Sequence, residues 1–383
     1  MATNKTDKVL NVPTLRFPGF TDEWQKKRVG DIAKLSKGAG ISKDDRSISG
    51  VPCILYGELY TTYNSEIINE VVSKTELPLD NLVQSEGNDV IIPSSGESAI
   101  DISTARCITT SGILLGGDLN IIRLKNDDGR FLSYQLNGVR KIDIAKVAQG
   151  VSVVHLYGDA LKSISVSLPH IDEQKKIADF LSLLDERIAL QSKLIDRLKS
   201  LMDGIRHRLF EESTVHQSLG NIVEIRKGKQ INGSELLDYG EYPVMNGGIT
   251  PSGFLNEYNI PAGTISISEG GNSCGYVQFN ATPIWSGGHC YTLHLICGDI
   301  DYRYLYHFLK HSESEIMKLR IGSGLPNIQK KDLSKFPIIS YPISNQMKIS
   351  KTLDVMEARI LNEEFMLQSY AKLKAYLLSV MFI

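Results

Sequence analysis

Two stripes of apolar residues with a period of about 3.5 residues constrain the fold of this chain more than any other feature. The first consists of Ile177, Leu181, Leu184, Ile188, Gln191, Ile195, Leu198, Met202, Ile205 and Leu209. The second, in the same register, consists of Ile349, Leu353, Met356, Ile360, Glu363, Leu367, Tyr370, Lys374, Leu377 and Met381. Such a seam is typical of a helix that packs against another helix. The sequence therefore predicts two copies of a long pairing helix, each about 60 Å long at about 1.5 Å per residue.

Each stripe is interrupted by one polar residue at the same step, Gln191 in the first and Glu363 in the second. In an antiparallel pair these residues would lie near the centres of facing seams, where buried polar side chains can set the register. The alternative is that both side chains turn toward solvent. Lys374 also interrupts the second stripe, and Leu373 is expected to replace it in the last turns.

The segments before the two long helices also repeat. The matching motifs are Val29–Ile32 with Leu219–Ile222, Lys37-Gly38 with Lys227-Gly228, and Ile113–Gly117 with Ile284–Gly288. Each segment is predicted to be rich in strands, at Asp89–Ile92 and Leu119–Leu124, and at Thr264–Ile267 and Tyr291–Leu295. A short helix is expected to follow in each copy, at Phe131–Leu136 and Tyr302–Lys310. The first copy carries extra residues somewhere before Gly116.

The predicted fold class is α+β, with two β-rich domains that are each followed by a long helix. The two helices are expected to pack as an antiparallel coiled coil, and the whole chain is expected to be a pseudo-twofold internal repeat. Asp172 and Ser344 are good N-cap residues and stand just before the two seams. The predicted segments are a lead-in at 1–28, a first β-rich domain at 29–170, a first long helix at 171–212, a second β-rich domain at 213–342 and a second long helix at 343–383.

The composition is that of an ordinary soluble protein in a reducing compartment. No apolar stretch reaches the length of about 18 residues that a membrane span requires, and residues 1–8 lack the apolar region of a signal peptide. The five cysteines form no CxxC pair, which argues against a disulfide framework. A formal net charge of −2 over 383 residues counts against a simple nucleic-acid binder, unless the positive charge is local or lies on partner subunits.

We find no catalytic or cofactor motif in the sequence. There is no GxxxxGK[ST] phosphate loop, and Gly322-Ser323-Gly324 is interpreted as a turn. No Asn-Pro-Pro-aromatic segment of the adenine methyltransferase kind occurs. The cluster of His289, Cys290, His294 and Cys297 is not expected to bind a metal, because on a strand its members face opposite sides.

Several segments resemble the specificity subunit of type I restriction–modification enzymes. They are the opening Pro13–Phe20 with Glu23-Trp24, the passage Pro169–Ile177, its continuation Leu184–Ile188, and the weaker second copy Asn345-Gln346. The resemblance extends over essentially the whole chain and implies that each β-rich domain reads one half of a split site in double-stranded DNA. It further implies that the long helices set the gap between the halves and dock two modification (methyltransferase) subunits, which restriction subunits then join.

The same resemblance implies that this chain does no chemistry and binds no cofactor. S-adenosylmethionine, ATP and Mg²⁺ are expected on the partner subunits, and the complex is expected in the bacterial cytoplasm, with no membrane association. The alternatives are a single-chain nuclease or methyltransferase, a coiled-coil assembly scaffold that does not bind DNA, and a specificity subunit of a modification-only system.

Candidate DNA-contacting residues follow from the chemistry of readout, because cationic side chains bind phosphates and polar side chains in variable loops contact bases. The candidates for phosphate contact are Lys37, Arg226, Lys227 and Lys229. The candidates for base contact are Tyr56, Ser94, Ser95 and Glu97 in the first domain, and Asn246, Ser268, Asn272 and Ser273 in the second.

Overall fold

The computed structural model describes residues 10–210, 216–322 and 324–383, which fall into two compact units. Unit 1 consists of Met1–Ser192 together with Met366–Ile383, and unit 2 consists of Lys193–Phe365. Within the described ranges, no helix combines the length and the apolar character that crossing a bilayer requires.

Unit 1 is built from short strands, short helices and parts of two long helices. Its strands are β1 (Gln25–Arg28), β2 (Ala33–Lys37), β3 (Arg46–Ser47), β4 (Val51–Ile54), β5 (Ile67–Ile68), β6 (Ser73–Thr75), β7 (Val83–Gln84), β8 (Asp89–Pro93), β9 (Ser95–Gly96), β10 (Arg106–Ile108), β11 (Leu114–Leu115), β12 (Leu119–Leu124), β13 (Val154–His155) and β14 (Ser165–Leu168). Its helices are α1 (Val29–Ile32), α2 (Glu58–Thr61), α3 (Gly129–Asn137), α4 (Lys141–Val147), α5 (Gly158–Ser163) and the start of the long helix α6 (Ile171–Phe210), with a 3₁₀ turn at Lys43–Asp45.

The strands of unit 1 form two five-stranded sheets and two small ones. The orders are β2-β12-β8-β10-β5 and β3-β6-β4-β11-β7, with β1-β14 and β9-β13 as separate pairs. The central strand β8 is buried at every position, which explains its continuous apolar run. Trp24 and Phe131 pack with Phe382 in the larger core of this unit.

Unit 2 is built from the same kinds of element but has fewer strands. They are β15 (His216–Ser218), β16 (Val223–Lys227), β17 (Tyr242–Met245), β18 (Phe254–Leu255), β19 (Thr264–Ser268), β20 (Val277–Asn280), β21 (Trp285–Ser286), β22 (Cys290–Leu295) and β23 (Pro337–Ile339). The helices are α7 (Leu219–Ile222), α8 (Tyr302–His311), α9 (Glu313–Met317), α10 (Lys330–Ser334), the remainder of α6 and the start of the long helix α11 (Ile343–Val380), whose last turns belong to unit 1, with a 3₁₀ turn at Gly233–Glu235. The sheet orders are β16-β22-β19-β20, β18-β17-β21 and β15-β23.

The strands and short helices predicted from the sequence are confirmed, with bounds that differ by one or two residues. The extra residues of the first copy lie mostly in one connection. Residues 55–88 join β4 to β8 and include three short strands, whereas residues 246–263 join β17 to β19 and include one.

The long helices begin at Ile171 and Ile343, ahead of the two residues that were expected to cap them. Asp172 and Ser344 therefore lie in the first turn and are not N-cap residues, although an acidic side chain there still favours the helix dipole. The first helix is described to Phe210, so the predicted end at 212 lies outside the described residues. The second ends at Val380.

A buried glutamine joins each globular copy to the first turn of its long helix. The Gln174 side chain accepts a hydrogen bond from the Asp128 N–H (2.9 Å) and donates to the carboxylate of Asp127 (2.8 Å) and to the Pro169 carbonyl (3.0 Å). In unit 2, Gln346 accepts from the Asp301 N–H (2.9 Å) and donates to the carbonyls of Asp299 (3.1 Å) and Tyr341 (2.7 Å). Asp128 and Asp301 are the N-caps of α3 and α8, so each glutamine fixes a long helix to the N-terminus of a short one.

The seam residues are buried or half-buried. In unit 1, Ile177 and Leu181 belong to the same core as Leu377 and Met381. In unit 2, Met202 belongs to the same core as Leu353 and Ile360. Gln191 and Glu363 are only 4% and 3% exposed, so the alternative in which they turn toward solvent is wrong.

Lys374 stays in the seam, contrary to the expectation that Leu373 replaces it. Its ammonium group pairs with the carboxylates of Asp185 (2.5 Å) and Glu66, and Asp185 also accepts a hydrogen bond from the Tyr134 hydroxyl (2.7 Å). Leu373 is 46% exposed. A buried lysine is tolerated here because two carboxylates neutralise it.

Candidate nucleic-acid interface

Lys37 lies at the exposed end of β2, where the chain makes a close turn. The turn requires Gly38, since a Cβ at this position would lie 2.0 Å from the Gly116 carbonyl oxygen. Gly228 is held in the same way beside Gly287, with a Cβ at 2.2 Å from the carbonyl oxygen. The repeated Lys-Gly motif thus presents a lysine at the same strand end in each unit.

The first-domain candidates for base contact lie at the same sheet edge as Lys37. Lys37 pairs with Asn120 of β12, which pairs with Ile92 of β8, and the chain then continues into Ser94 and Ser95. Ser94 and Ser95 are only 5% and 8% exposed, so their side chains have little access to solvent.

Tyr56 and Glu97 are both exposed. Burial raises the pKa of Tyr60, and Tyr56, Asp101 and Glu97 raise it further. Gly96, which stands between Ser95 and Glu97, lies against the same ring, since its Cβ would be 3.5 Å from the Tyr60 hydroxyl oxygen. The charges of Tyr56 and Glu97 thus both act on the Tyr60 hydroxyl.

Two of the three cationic candidates of unit 2 have acidic partners, whereas Lys37 pairs with no carboxylate of the described residues. The Arg226 guanidinium pairs with Glu224 (2.6 Å), and the Lys227 ammonium pairs with Glu269 (2.6 Å). The Glu269 carboxylate also accepts a hydrogen bond from the Tyr291 hydroxyl (3.1 Å). Lys229 is exposed just beyond the Gly228 turn.

Two of the base-contact candidates of unit 2, Asn246 and Ser268, form hydrogen bonds with the backbone of neighbouring loops. The Asn246 side-chain oxygen accepts from the His289 N–H (3.1 Å), and the Ser268 hydroxyl donates to the Gly247 carbonyl (2.7 Å). Asn272 is exposed and Ser273 half-buried, both in the loop after β19. Asn272 and Ser273 are thus the more accessible pair.

The cysteine and histidine cluster does not form a ligand set. Cys290 is buried, and the His294 ring is hydrogen-bonded to the Thr292 hydroxyl (3.0 Å). Across the described residues, the potential ligand atoms of His307, Asp354 and Glu357 lie within 4.8 Å of one another. The Arg303 guanidinium already contacts Asp354 (2.5 Å) and Glu357 (2.8 Å), so these carboxylates are neutralised by the protein itself.

The long helices also expose apolar side chains outside their seams. In unit 1 these are Phe180, Leu183, Leu190, Leu373 and Tyr376, and in unit 2 they are Leu194, Leu201, Ile343, Met347, Val355, Leu361 and Phe365. Leu183 and Leu190 are 64% and 63% exposed and lie one heptad apart. Such rows on a helix are typical of protein docking surfaces.

Sequence reasoning missed Tyr60 and Glu269, and it noted the segments that contain Gln174 and Gln346 without recognising the structural role of these glutamines. The glutamines could have been found, because they stand at the same step before each seam. Glu269 gave no such signal, since its partner Lys227 is distant in the sequence and the matching residue of the first copy is a serine.

A family model described as the type I restriction modification DNA specificity domain matches residues 21–200 and again residues 212–368. A type I specificity subunit of Mycoplasma genitalium is 28% identical over 214 residues, which cover 52% of this chain and 56% of that protein. The specificity subunit of the type I restriction enzyme MjaVIII of Methanocaldococcus jannaschii is 24% identical over 252 residues, which cover 59% of this chain and 54% of that protein. The chain thus spans little more than half the length of these curated relatives.

The fold is similar to that of solved structures. The crystal structure of a type I restriction–modification S subunit from M. genitalium superposes with a TM-score of 0.72 at 21% identity, covering 97% of this chain and 99% of that chain. A chain from a study of complex assembly and conformational transition in a type I system gives a TM-score of 0.55 at 16% identity, covering 95% and 98% of the two chains.

Proposed function

Since this chain belongs to the family of type I restriction–modification DNA specificity proteins, we propose that it is the non-catalytic specificity subunit of such a system. The observation that carries this proposal is the double match of the family model, once over each β-rich copy and the helix that follows it. The chain itself contributes DNA recognition, and the chemistry belongs to its partners.

Each β-rich copy reads one part of a bipartite target in double-stranded DNA. The recognition domains are residues 29–170 and 213–342, preceded by a lead-in at 1–28 and followed by helical spacers at 171–212 and 343–383. The related sheet orders and the shared Lys-Gly turns support this assignment as an internal pseudo-twofold duplication.

The exposure of each candidate side chain determines the role that we propose for it. Lys37 and Lys229 contact phosphates, joined by Arg226 when Glu224 releases it, whereas Lys227 stays close to the backbone of the DNA but paired with Glu269. Tyr56 and Glu97 contact bases in the first half-site, and Asn272 and Ser273 in the second. Ser94, Ser95, Asn246 and Ser268 contribute by holding the loops that carry these residues.

The two long helices pack as an antiparallel coiled coil that sets the length of the unread gap between the half-sites. Contacts inside each unit support the antiparallel direction. In unit 1, Arg187 donates a hydrogen bond to the Tyr370 hydroxyl (3.3 Å), while Asp185 pairs with Lys374. In unit 2, Lys199 pairs with Glu364 (2.6 Å), while the Leu209 carbonyl accepts from the Tyr341 hydroxyl (2.9 Å).

The partners are two modification subunits, which carry S-adenosylmethionine and methylate adenine, and restriction subunits, which use ATP and Mg²⁺. The apolar side chains that the helices expose outside their seams are suited to bind the modification subunits. This assembly acts on DNA in the bacterial cytoplasm. Cationic surfaces of the modification subunits add to the DNA affinity, which accommodates a specificity chain with a net charge of −2.

Methylome sequencing of a host that expresses this chain with its modification subunits tests the proposal. We expect methylated adenines in a motif of two defined parts separated by a gap of constant length. Glu97→Ala should alter only one part and Asn272→Ala only the other, so each variant serves as the control for the other.

Three results would contradict the proposal. An uninterrupted methylation motif would show that the target is not bipartite. Methylation or cleavage of DNA by the purified chain alone would show that the chain is an enzyme. Absence of any DNA footprint for the assembled complex would favour a scaffold. Cleavage assays with and without restriction subunits separate a full restriction system from a modification-only one.

A further inference from the structure

Ser94 in unit 1 and Glu269 in unit 2 occupy equivalent positions. Each residue directly follows a central strand, β8 or β19. The Ser94 N–H donates to the Asp118 carbonyl (2.8 Å), and its own carbonyl accepts from the Leu156 N–H (3.0 Å). The Glu269 N–H donates to the His289 carbonyl (2.9 Å), and its carbonyl accepts from the Ile328 N–H (2.9 Å). The backbone hydrogen bonding at this position is therefore the same in both units. The two positions differ in their side chains.

The Glu269 side chain holds the repeated lysine of unit 2. One carboxylate oxygen lies 2.6 Å from the Lys227 ammonium and 3.1 Å from the Tyr291 hydroxyl. The other lies 3.8 Å from the His289 ring and, within the described residues, has no hydrogen-bond partner. Burial raises the pKa of Tyr291 to about 12, and the adjacent Glu269 charge contributes to the shift. The glutamate is 12% exposed, whereas Lys227 is 52% exposed.

Unit 1 lacks this arrangement. Ser94 carries no charge, and its hydroxyl lies 3.5 Å from the carboxylate of Asp118, the residue equivalent to His289. In the described part of the chain, no ion pair of Lys37 is seen, with Asp118 or with any other carboxylate. The lysine of unit 1 is thus available to a phosphate, whereas the lysine of unit 2 is already neutralised.

We propose that Glu269 is a specificity-determining residue of the second recognition domain, because it holds Lys227 and so suppresses sequence-independent attraction to DNA phosphates. This inference rests on the proposed function. Each lysine that neutralises a phosphate adds affinity for every sequence alike and steepens the salt dependence. A lysine retained by an internal carboxylate adds little affinity and little salt dependence. More of the discrimination between DNA sequences in that half-site therefore comes from base contacts.

The test uses the chain assembled with its modification subunits, a labelled duplex of arbitrary sequence, and a duplex carrying the motif found by methylome sequencing. Glu269→Gln keeps the size of the side chain, and Glu269→Ser installs the residue of the first copy. Both should bind the arbitrary duplex more tightly and steepen the salt slope by about one, which is about a fourfold larger loss of affinity between about 50 and 200 mM salt. The ratio of motif affinity to arbitrary affinity should fall.

Further variants identify Lys227 as the cation that is released. Lys227→Ala in the wild-type background should change the salt slope much less than Lys37→Ala does. Lys227→Ala combined with Glu269→Gln should remove the added steepness. Glu257→Gln, an exposed acid of the same unit, makes the same change in net charge and should leave the slope unaltered.

An unchanged salt slope in Glu269→Gln, or a steeper slope that persists without Lys227, would overturn the inference. A changed base preference at constant slope would also overturn it, because Glu269 would then contact a base. Lys227→Ala tests the same point on an exposed residue if the Glu269 variants fail to fold. If the unmodified complex does not prefer the methylated motif, the proposed function itself fails, which is a different result.

Discussion

Lys37 is the clearest single side chain for phosphate contact, because it is exposed and is not held by a carboxylate among the described residues. We expect Lys37→Ala to weaken binding of all duplexes by a similar factor and to lower the salt slope by about one. Fluorescence anisotropy of the assembled complex over a range of salt concentrations measures both. Lys34→Ala removes the same charge from the opposite face of β2 and should have little effect. A change in the preferred base would contradict the assignment.

His307 makes the stability of unit 2 depend on pH. Its ring is fully buried and lies 2.7 Å from the Asp354 carboxylate. Burial lowers the pKa of His307 in the folded chain, so below the ordinary value of about 6.5 the unfolded chain binds a proton that the folded chain does not. The free energy of unfolding should therefore fall as the pH drops through this range.

Urea unfolding at a series of pH values tests this expectation. His307→Gln keeps a donor for Asp354 but cannot titrate, so its unfolding free energy should vary less between about pH 7 and pH 5.5. His216→Gln, an exposed histidine of the same unit, should keep the pH dependence of the unmodified chain. Equal pH dependence in the His307 variant and the unmodified chain would show that other groups are responsible.

At the scale of elements, the buried glutamines at the start of α6 and α11 fix each long helix to its globular copy. Gln174→Leu removes three hydrogen bonds and leaves the buried Asp128 N–H without its partner. We expect a loss of about 3 kcal/mol in the free energy of unfolding of unit 1, measured by denaturant titration. Gln346→Leu should act in the same way on unit 2. Gln368→Leu, on an exposed face of α11, is the control and should cost little.

The polar residues Gln191 and Glu363 remain candidates for setting the register of the helices. Both are buried, and polar groups buried in an apolar seam restrict the alternative pairings. Replacing both by leucine should keep or raise stability while relaxing the register. The double variant should then give mixed assembly states, and its methylation motif should lose the constant gap. Unchanged assembly together with an unchanged gap would remove the register role.

Elements with a strong local pattern could be predicted, and elements held by distant partners could not. The strands β8 and β12 and both long helices follow from apolar runs and heptads that are visible within one segment. The retention of Lys374 in the seam could not be predicted, because Glu66 and Asp185 neutralise it from elsewhere in the sequence. Local periodicity states which face is apolar, but it carries no information about a charge partner far along the chain.

At the scale of the whole molecule, the presence of two domains of one family was the most predictable property, because the same motifs recur in the same order. The candidate site was less predictable. Lys37 and Lys227, which the repeat matches, both lie at strand ends, whereas Ser94, Ser95 and Ser268 are buried. Residue type and loop position indicate where polar side chains cluster, but exposure depends on how the loop folds over its neighbours.

Unit 1 is discontinuous in sequence, and this fixes the order in which the chain can mature during synthesis. Leu377, Met381 and Phe382 belong to the same core as Trp24 and Phe131, and they leave the ribosome only after the whole of unit 2. The part of unit 1 that is translated first therefore keeps part of its hydrophobic surface exposed until the C-terminal segment has been synthesised. Unit 2, which is contiguous, can complete its core first, and a ribosome stalled before Met366 would leave the N-terminal unit the less mature of the two.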